Sequence, residues 1–196
     1  MQTRLQREMP AAQMVKLERV QHRRLWQQYW TRRKYVSSKN NGNANEQWAW
    51  HGTSARRPEE VLESEDGIDV RFAGSAFYGR GIYLSESPVY QTAGRYAHWC
   101  SQEGPMQLLL VKVALGAVQE LGTRVDEQTK AMSMPAERGR VPGCGVIRYD
   151  SVRAGPHRPW RAGPGPNDSI IYVVYKTEQV FPAYVVTYDT TVEAGV

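Results

Sequence analysis

MQLLLVKVALG, residues 106–116, is the stretch on which the fold turns. Its apolar run is too short to cross a bilayer, and Lys112 interrupts it. It reads as a strand buried on both sides, since it is apolar almost throughout and ends at a glycine. Working outward, two more strands close the chain: SIIYVVYK (169–176) and AYVVTYD (183–189). Pro182 between them marks a turn or a sheet edge. Upstream, MVKLERVQ (14–21) alternates apolar and polar residues as a strand does.

HRRLWQQYWTRRKYV (22–36) has the period of an amphipathic helix. Leu25 with Tyr29, and Trp26 with Trp30, fall on one side; Arg23, Arg24, Arg32 and Lys34 lie mostly on the other. SSKNNGNANE (37–46) reads as a polar loop. QWAWHGT follows as a short strand and turn. Pro58, with acids after it, starts a second helix. SPVYQTAGRYAHWC is helical in part, and residues 122–168 read as loop-rich. Early helices followed mainly by strands argue an α+β domain with a substantial antiparallel sheet. The expected organisation is a flexible tail at 1–11, one domain over 12–189 and a C-terminal tail at 190–196.

The 196 residues carry 41% hydrophobic and 23% charged residues, which suits one well-cored domain. The net charge of +5 leaves an anionic partner open, nucleic acid included. MQTRLQREMP has no apolar signal core, so an intracellular address, cytoplasmic or nuclear, is expected. Cys100 and Cys144 have no CxxC partner and make no zinc spacing with His98 or His157. Reduced structural thiols and no metal are expected. The GRG of YGRGIYL is not a dinucleotide fingerprint, because the third glycine position holds Leu84. Glu63-Ser64-Glu65 reads as a solvated helix face.

Three features stand in order: His51-Gly52-Thr53 after a strand, GIDVRFAG…YGRGIYL ending near Tyr83, and IIYVVYKTEQVFPAYVVTY late in the chain. With VKLERVQHRRLWQQYWTRRK and RYDSV, they resemble the catalytic domain of the poly(ADP-ribose) polymerase-like ADP-ribosyltransferases over roughly residues 12–189. The resemblance implies the ADP-ribosyltransferase fold, a mainly antiparallel split sheet with flanking helices. It implies NAD as co-substrate, acceptor proteins (the chain itself among them) or nucleic-acid ends as partners, and no membrane. His51 would donate a hydrogen bond to the adenosine ribose. Gly52 and Thr53 would line the nucleotide site, with Gly52 offering backbone to the nicotinamide carboxamide. Tyr83 and Tyr96 would sandwich the nicotinamide ring. Arg71 would face the pyrophosphate or adenine.

Two departures set expectations. The family's carboxamide-binding serine is replaced by Gln91 or by Thr92, and either can hydrogen-bond an amide. The glutamate of polymerising members is replaced by Ile171, so the triad reads His51, Tyr83, Ile171. Asp168 and Glu178 fall on the opposite face of a regular strand. Related sequences with an aliphatic residue there resemble transferases of a single ADP-ribose unit, and that activity is expected. The alternatives are a non-catalytic module binding NAD, an ADP-ribose-like ligand or only a partner protein, and an NAD glycohydrolase.

Overall fold

A computed structural model describes residues 2–73, 76–101, 104–141, 145–159 and 168–190. Its elements, in chain order, are α1 (Gln2–Glu8), β1 (Gln13–Arg19), α2 (Arg23–Lys39), β2 (Glu46–His51), α3 (Pro58–Glu63), β3 (Ile82–Ser85), α4 (Pro88–Ala93), β4 (His98–Trp99), β5 (Met106–Ala114), β6 (Val118–Gly122), α5 (Glu127–Lys130), β7 (Glu137–Val141), β8 (Gly145–Arg148), β9 (Ser151–His157), β10 (Ser169–Val174) and β11 (Val180–Asp189). Among the described residues, no helix is long and apolar enough to cross a membrane.

β5 behaves as its composition requires. Alternate residues leave a strand on opposite faces. Leu109, Val111 and Val113 join one core with Ala49, Ile82, Leu84 and Val174. Leu108 and Leu110 join another with Leu5, Trp50, Val186 and Tyr188. Lys112 is tolerated because its Nζ lies 2.7 Å from Glu46 and 5.1 Å from the centre of the Trp48 ring.

The large sheet is mixed but mostly antiparallel, in the order β1-β11-β5-β2-β3-β10-β9-β6, with β4 on β5. Among the described strands, only β6 and β9 run parallel. It has a seam. β2 pairs with β5 over six positions but meets β3 at Trp50–Ser85 alone. Beyond that pair the strands part within one continuous, mostly antiparallel sheet.

Several local expectations are corrected. Residues 2–8 are a helix rather than a frayed tail, with Leu5 fully buried and Met9 and Ala12 buried behind it. Two anchors at i,i+4 spacing are too little periodicity to announce a helix in sequence. α2 continues through Ser37 and Ser38 to Lys39, where Asn40 donates its backbone N–H to Ser37 O and its side-chain amide to Val36 O. Only Leu25, Tyr29 and Val36 of α2 are buried. Trp26 and Trp30 sit half-exposed on a flank, stacked on each other at 5.9 Å. The stretch 122–168, expected as loop, contains α5, β7, β8 and β9, while 142–144 and 160–167 lie outside the described residues, Cys144 among them. Pro182 lies inside β11 rather than in a turn, opposite Val111 of β5 and beyond the last β1 pairing at Tyr184, and the register slips between Pro182 and Tyr184. A bulge is where an interior strand can accept a residue without an N–H. The expected tail at 190–196 lies outside the described residues apart from Thr190.

Candidate active site

A cavity of about 790 Å³ opens where β2 and β3 diverge. His51 at the end of β2, Tyr83 on β3 and Ile171 on β10 all line it, with Gly52, Thr53, Gln91 and Tyr96. Topology brings them together. β3 is hydrogen-bonded to β10, with Ser85 opposite Ile171, and Ser85 is also the residue that meets Trp50 across the seam.

His51 closes the seam with its side chain. Its Nδ1 lies 2.9 Å from the Tyr83 carbonyl oxygen. A carbonyl only accepts, so the proton is on Nδ1. Burial pushes the ring below its ordinary 6.5, against the raising effect of that hydrogen bond, so the imidazole is neutral at pH 7. Nε2 is then an acceptor. In this tautomer the free nitrogen can receive a hydrogen bond.

Tyr83 is held by its hydroxyl. It donates to Gly79 O at 2.9 Å and receives the Tyr78 N–H at 2.8 Å, pinning the ends of YGRGIY together. The ring face, rather than the hydroxyl, is what Tyr83 offers a ligand. Burial raises its phenol well above 10, so it stays neutral. Gly79 has φ +70, and a Cβ there would lie 1.7 Å from Met132 O, so the turn can hold only glycine. Tyr96 lines the same cavity and stacks on Tyr90 at 5.8 Å with 26° between planes.

Ile171 is almost wholly buried and packs with Tyr78, Tyr90, Val173 and Tyr175, with Tyr83 and Tyr96 against them. Among the described residues, neither nearby carboxylate of the late chain takes its place. Asp168 is exposed and pairs with Arg158 at 3.0 Å, and Glu178 is exposed on the turn before β11. The acidic residue on the cavity wall is Asp69, whose carboxylate is held low by Arg71. Glu65 of the ExE stretch pairs with Arg24.

The phase of α4 puts Gln91, and not Thr92, on the cavity wall. Gln91 lines the cavity, and its Nε2 donates to Trp50 O at 3.2 Å and Ser85 Oγ at 3.0 Å. Thr92 turns the other way, donating to Pro88 O and lying 2.7 Å from the Tyr188 hydroxyl. Thr53 lines the cavity, but its hydroxyl donates to Arg56 O at 2.6 Å. Arg71 is tied to Asp66 and Asp69 and is not among the residues lining the cavity. Sequence reasoning missed Arg56 and Phe72, which do line it. The only sequence signal was their place beside HGT and inside RFAG. Among the described residues, no group of three or more His, Cys, Asp or Glu side chains could hold a metal. Cys100 is an exposed free thiol.

His51 and His157 are both pushed below 6.5, chiefly by burial. The unfolded chain therefore binds protons more readily than the folded one as pH falls through 6.5, and stability drops. Asp69 and Glu46 are held below their ordinary 3.8 and 4.5, so their contribution is lost only at more acid pH. Melting temperature should fall by a few degrees between pH 7.5 and 5.5, and by less in His51→Gln. A melting temperature flat across that window would refute the neutral, half-buried histidines.

The model of the poly(ADP-ribose) polymerase catalytic domain matches residues 2–190. Human protein mono-ADP-ribosyltransferase PARP12 is 27% identical over 193 residues, covering 97% of this chain and 24% of that protein. Human protein mono-ADP-ribosyltransferase PARP14 is 24% identical over 175 residues, 88% of this chain and 8% of that protein. A Caenorhabditis elegans poly [ADP-ribose] polymerase tankyrase is 28% identical over 165 residues, 74% of this chain and 7% of that protein. The chain thus spans a quarter or less of these relatives. With the family model covering nearly the whole chain, the protein belongs to the poly(ADP-ribose) polymerase catalytic domain family.

Proposed function

We propose that this domain transfers a single ADP-ribose unit from NAD to an acceptor and releases nicotinamide. The observation that carries the reading is the meeting of His51, Tyr83 and a buried Ile171 on one cavity at the sheet seam. The nicotinamide ring lies between Tyr83 and Tyr96 by stacking. Gly52 presents its backbone to the carboxamide. Nε2 of His51 accepts from a hydroxyl of the adenosine ribose. The Tyr83 phenol, kept neutral by burial, leaves its side of the ring slot uncharged.

In the reaction, the bond from ribose C1′ to the nicotinamide nitrogen breaks, and nicotinamide leaves with the bonding pair. The acceptor nucleophile forms the new bond to C1′ and gives up its proton. A carboxylate beside the ribose would stabilise the oxocarbenium-like state and activate the next ribose hydroxyl. Ile171 does neither, so chain growth has no base and the product stops at one unit. Relatives bearing mono-transferase names support that choice. The acceptor is a protein side chain, the domain's own included, or a nucleic-acid end.

The test is intact mass after incubation with NAD. Steps of one ADP-ribose unit are expected, and His51→Ala should stay folded and lose them. A long polymer ladder on a denaturing gel would overturn single-unit transfer. No mass change together with no NAD-induced rise in melting temperature would favour the non-catalytic module.

A further inference from the structure

Among the described residues, the cavity wall carries one Arg or Lys, Arg56. Its guanidinium carbon lies 4.6 Å from the centre of the Phe72 ring. Phe72 is 67% exposed, high for a large apolar side chain at a cavity rim. The neighbouring arginines are differently engaged. Arg57 pairs with Glu60 at 2.9 Å. Arg71 pairs with Asp66 and Asp69 and so neutralises the carboxylate of Asp69, which would otherwise repel an anion from the wall. Among the described residues Arg56 has no carboxylate partner, so its charge is uncancelled.

The backbone beneath Arg56 is fixed. Thr53 Oγ1 donates to Arg56 O at 2.6 Å, and the Arg56 N–H returns to Thr53 O at 3.2 Å. Ser54, between them, has φ 53 and donates its N–H to Tyr96 O at 2.8 Å. The turn that follows His51 is thus bolted to the segment carrying Tyr96. It holds a guanidinium at the mouth of the slot, resting on an aromatic face.

From this we infer that Arg56 grips the diphosphate of the dinucleotide, with Phe72 holding the guanidinium poised when the site is empty. The inference rests on the NAD reading above and deepens it. A guanidinium offers paired N–H donors that match two phosphate oxygens, and it is weakly hydrated, so leaving an aromatic ring for a phosphate is cheap. Thr53 is then a positioning residue: its hydroxyl is spent on the turn.

The experiment compares affinity for NAD and for nicotinamide, which lacks the diphosphate, in wild type, Arg56→Ala and Arg57→Ala. Arg56→Ala should bind NAD about ten- to hundredfold more weakly, with affinity for nicotinamide unchanged. Arg57→Ala removes the same charge one residue on and should change neither. Unaltered NAD affinity in Arg56→Ala, an equal loss in Arg57→Ala, or a matching loss of nicotinamide binding would each overturn the assignment. Wild type binding neither compound would instead sink the NAD reading on which it rests.

Discussion

Gly52→Ala should cut NAD-dependent labelling by about a hundredfold or more while the protein still folds. The reason is local. A Cβ on residue 52 would lie 2.2 Å from Tyr96 O, 2.4 Å from its carbonyl carbon and 2.9 Å from its Cβ. Two of those atoms are backbone, so no rotamer change relieves the clash. Tyr96 O also receives the Ser54 N–H, so moving it disturbs the turn after His51 as well. The methyl therefore spreads the two walls that would hold the nicotinamide. Overpacking of this kind costs about 1–3 kcal/mol, which a domain of this size tolerates. Labelling and melting temperature should be measured together. A variant that folds and labels within threefold of wild type would show that the two walls need not touch.

Asp150→Ala should be the most damaging change to stability. The Asp150 side chain has no exposure and lies 2.5 Å from Lys39 Nζ at the end of α2. It also accepts from Asn40 Nδ2 at 2.8 Å and from the Ala117 N–H at 3.1 Å. Its backbone carbonyl receives Gln179 Nε2, just before β11. One carboxylate thus joins the C-terminus of α2, the β5–β6 link and, through its main chain, the start of β11. Alanine leaves a mostly buried ammonium and two donors without their partner. Removing one member of such a pair costs about 3–5 kcal/mol. For a chain of this length that is on the order of 10 °C in melting temperature. Asp150→Asn should cost less, because its carbonyl oxygen can still accept. A shift in Asp150→Ala smaller than 2 °C would refute the staple.

The sequence showed RYDSV only as a piece of a resemblance, and the job of its aspartate was invisible there. Its partners lie 110 and 33 residues away, at Asn40 and Ala117. The same limit applied to α1. Leu5 and Met9 are two apolar residues in a polar segment until Trp50, Leu108 and Tyr188 are seen waiting for them. β5 was readable because a strand buried on both faces must be apolar at nearly every position, and that demand is local. Of the two Pro182 readings the turn failed, because proline's missing N–H forbids a regular ladder position but not a bulge, and a bulge is a property of two strands.

At the site, residue type and order carried the reading as far as local chemistry reaches. They settled the family resemblance, the α+β class and the absence of an acid in the frame of Ile171. They singled out His51, Gly52, Tyr83 and Tyr96, which the fold then lines up on one cavity. What the tertiary structure decided was direction. It put Gln91 rather than Thr92 on the cavity wall, because a six-residue helix has no phase until it packs. It fixed the His51 proton on Nδ1, because only the divergence of β2 and β3 leaves the Tyr83 carbonyl for a side chain to satisfy. It turned Arg71 onto Asp66 and Asp69 and left Arg56 at the mouth, because a long cation goes to the nearest carboxylate, and nearness is set by the fold.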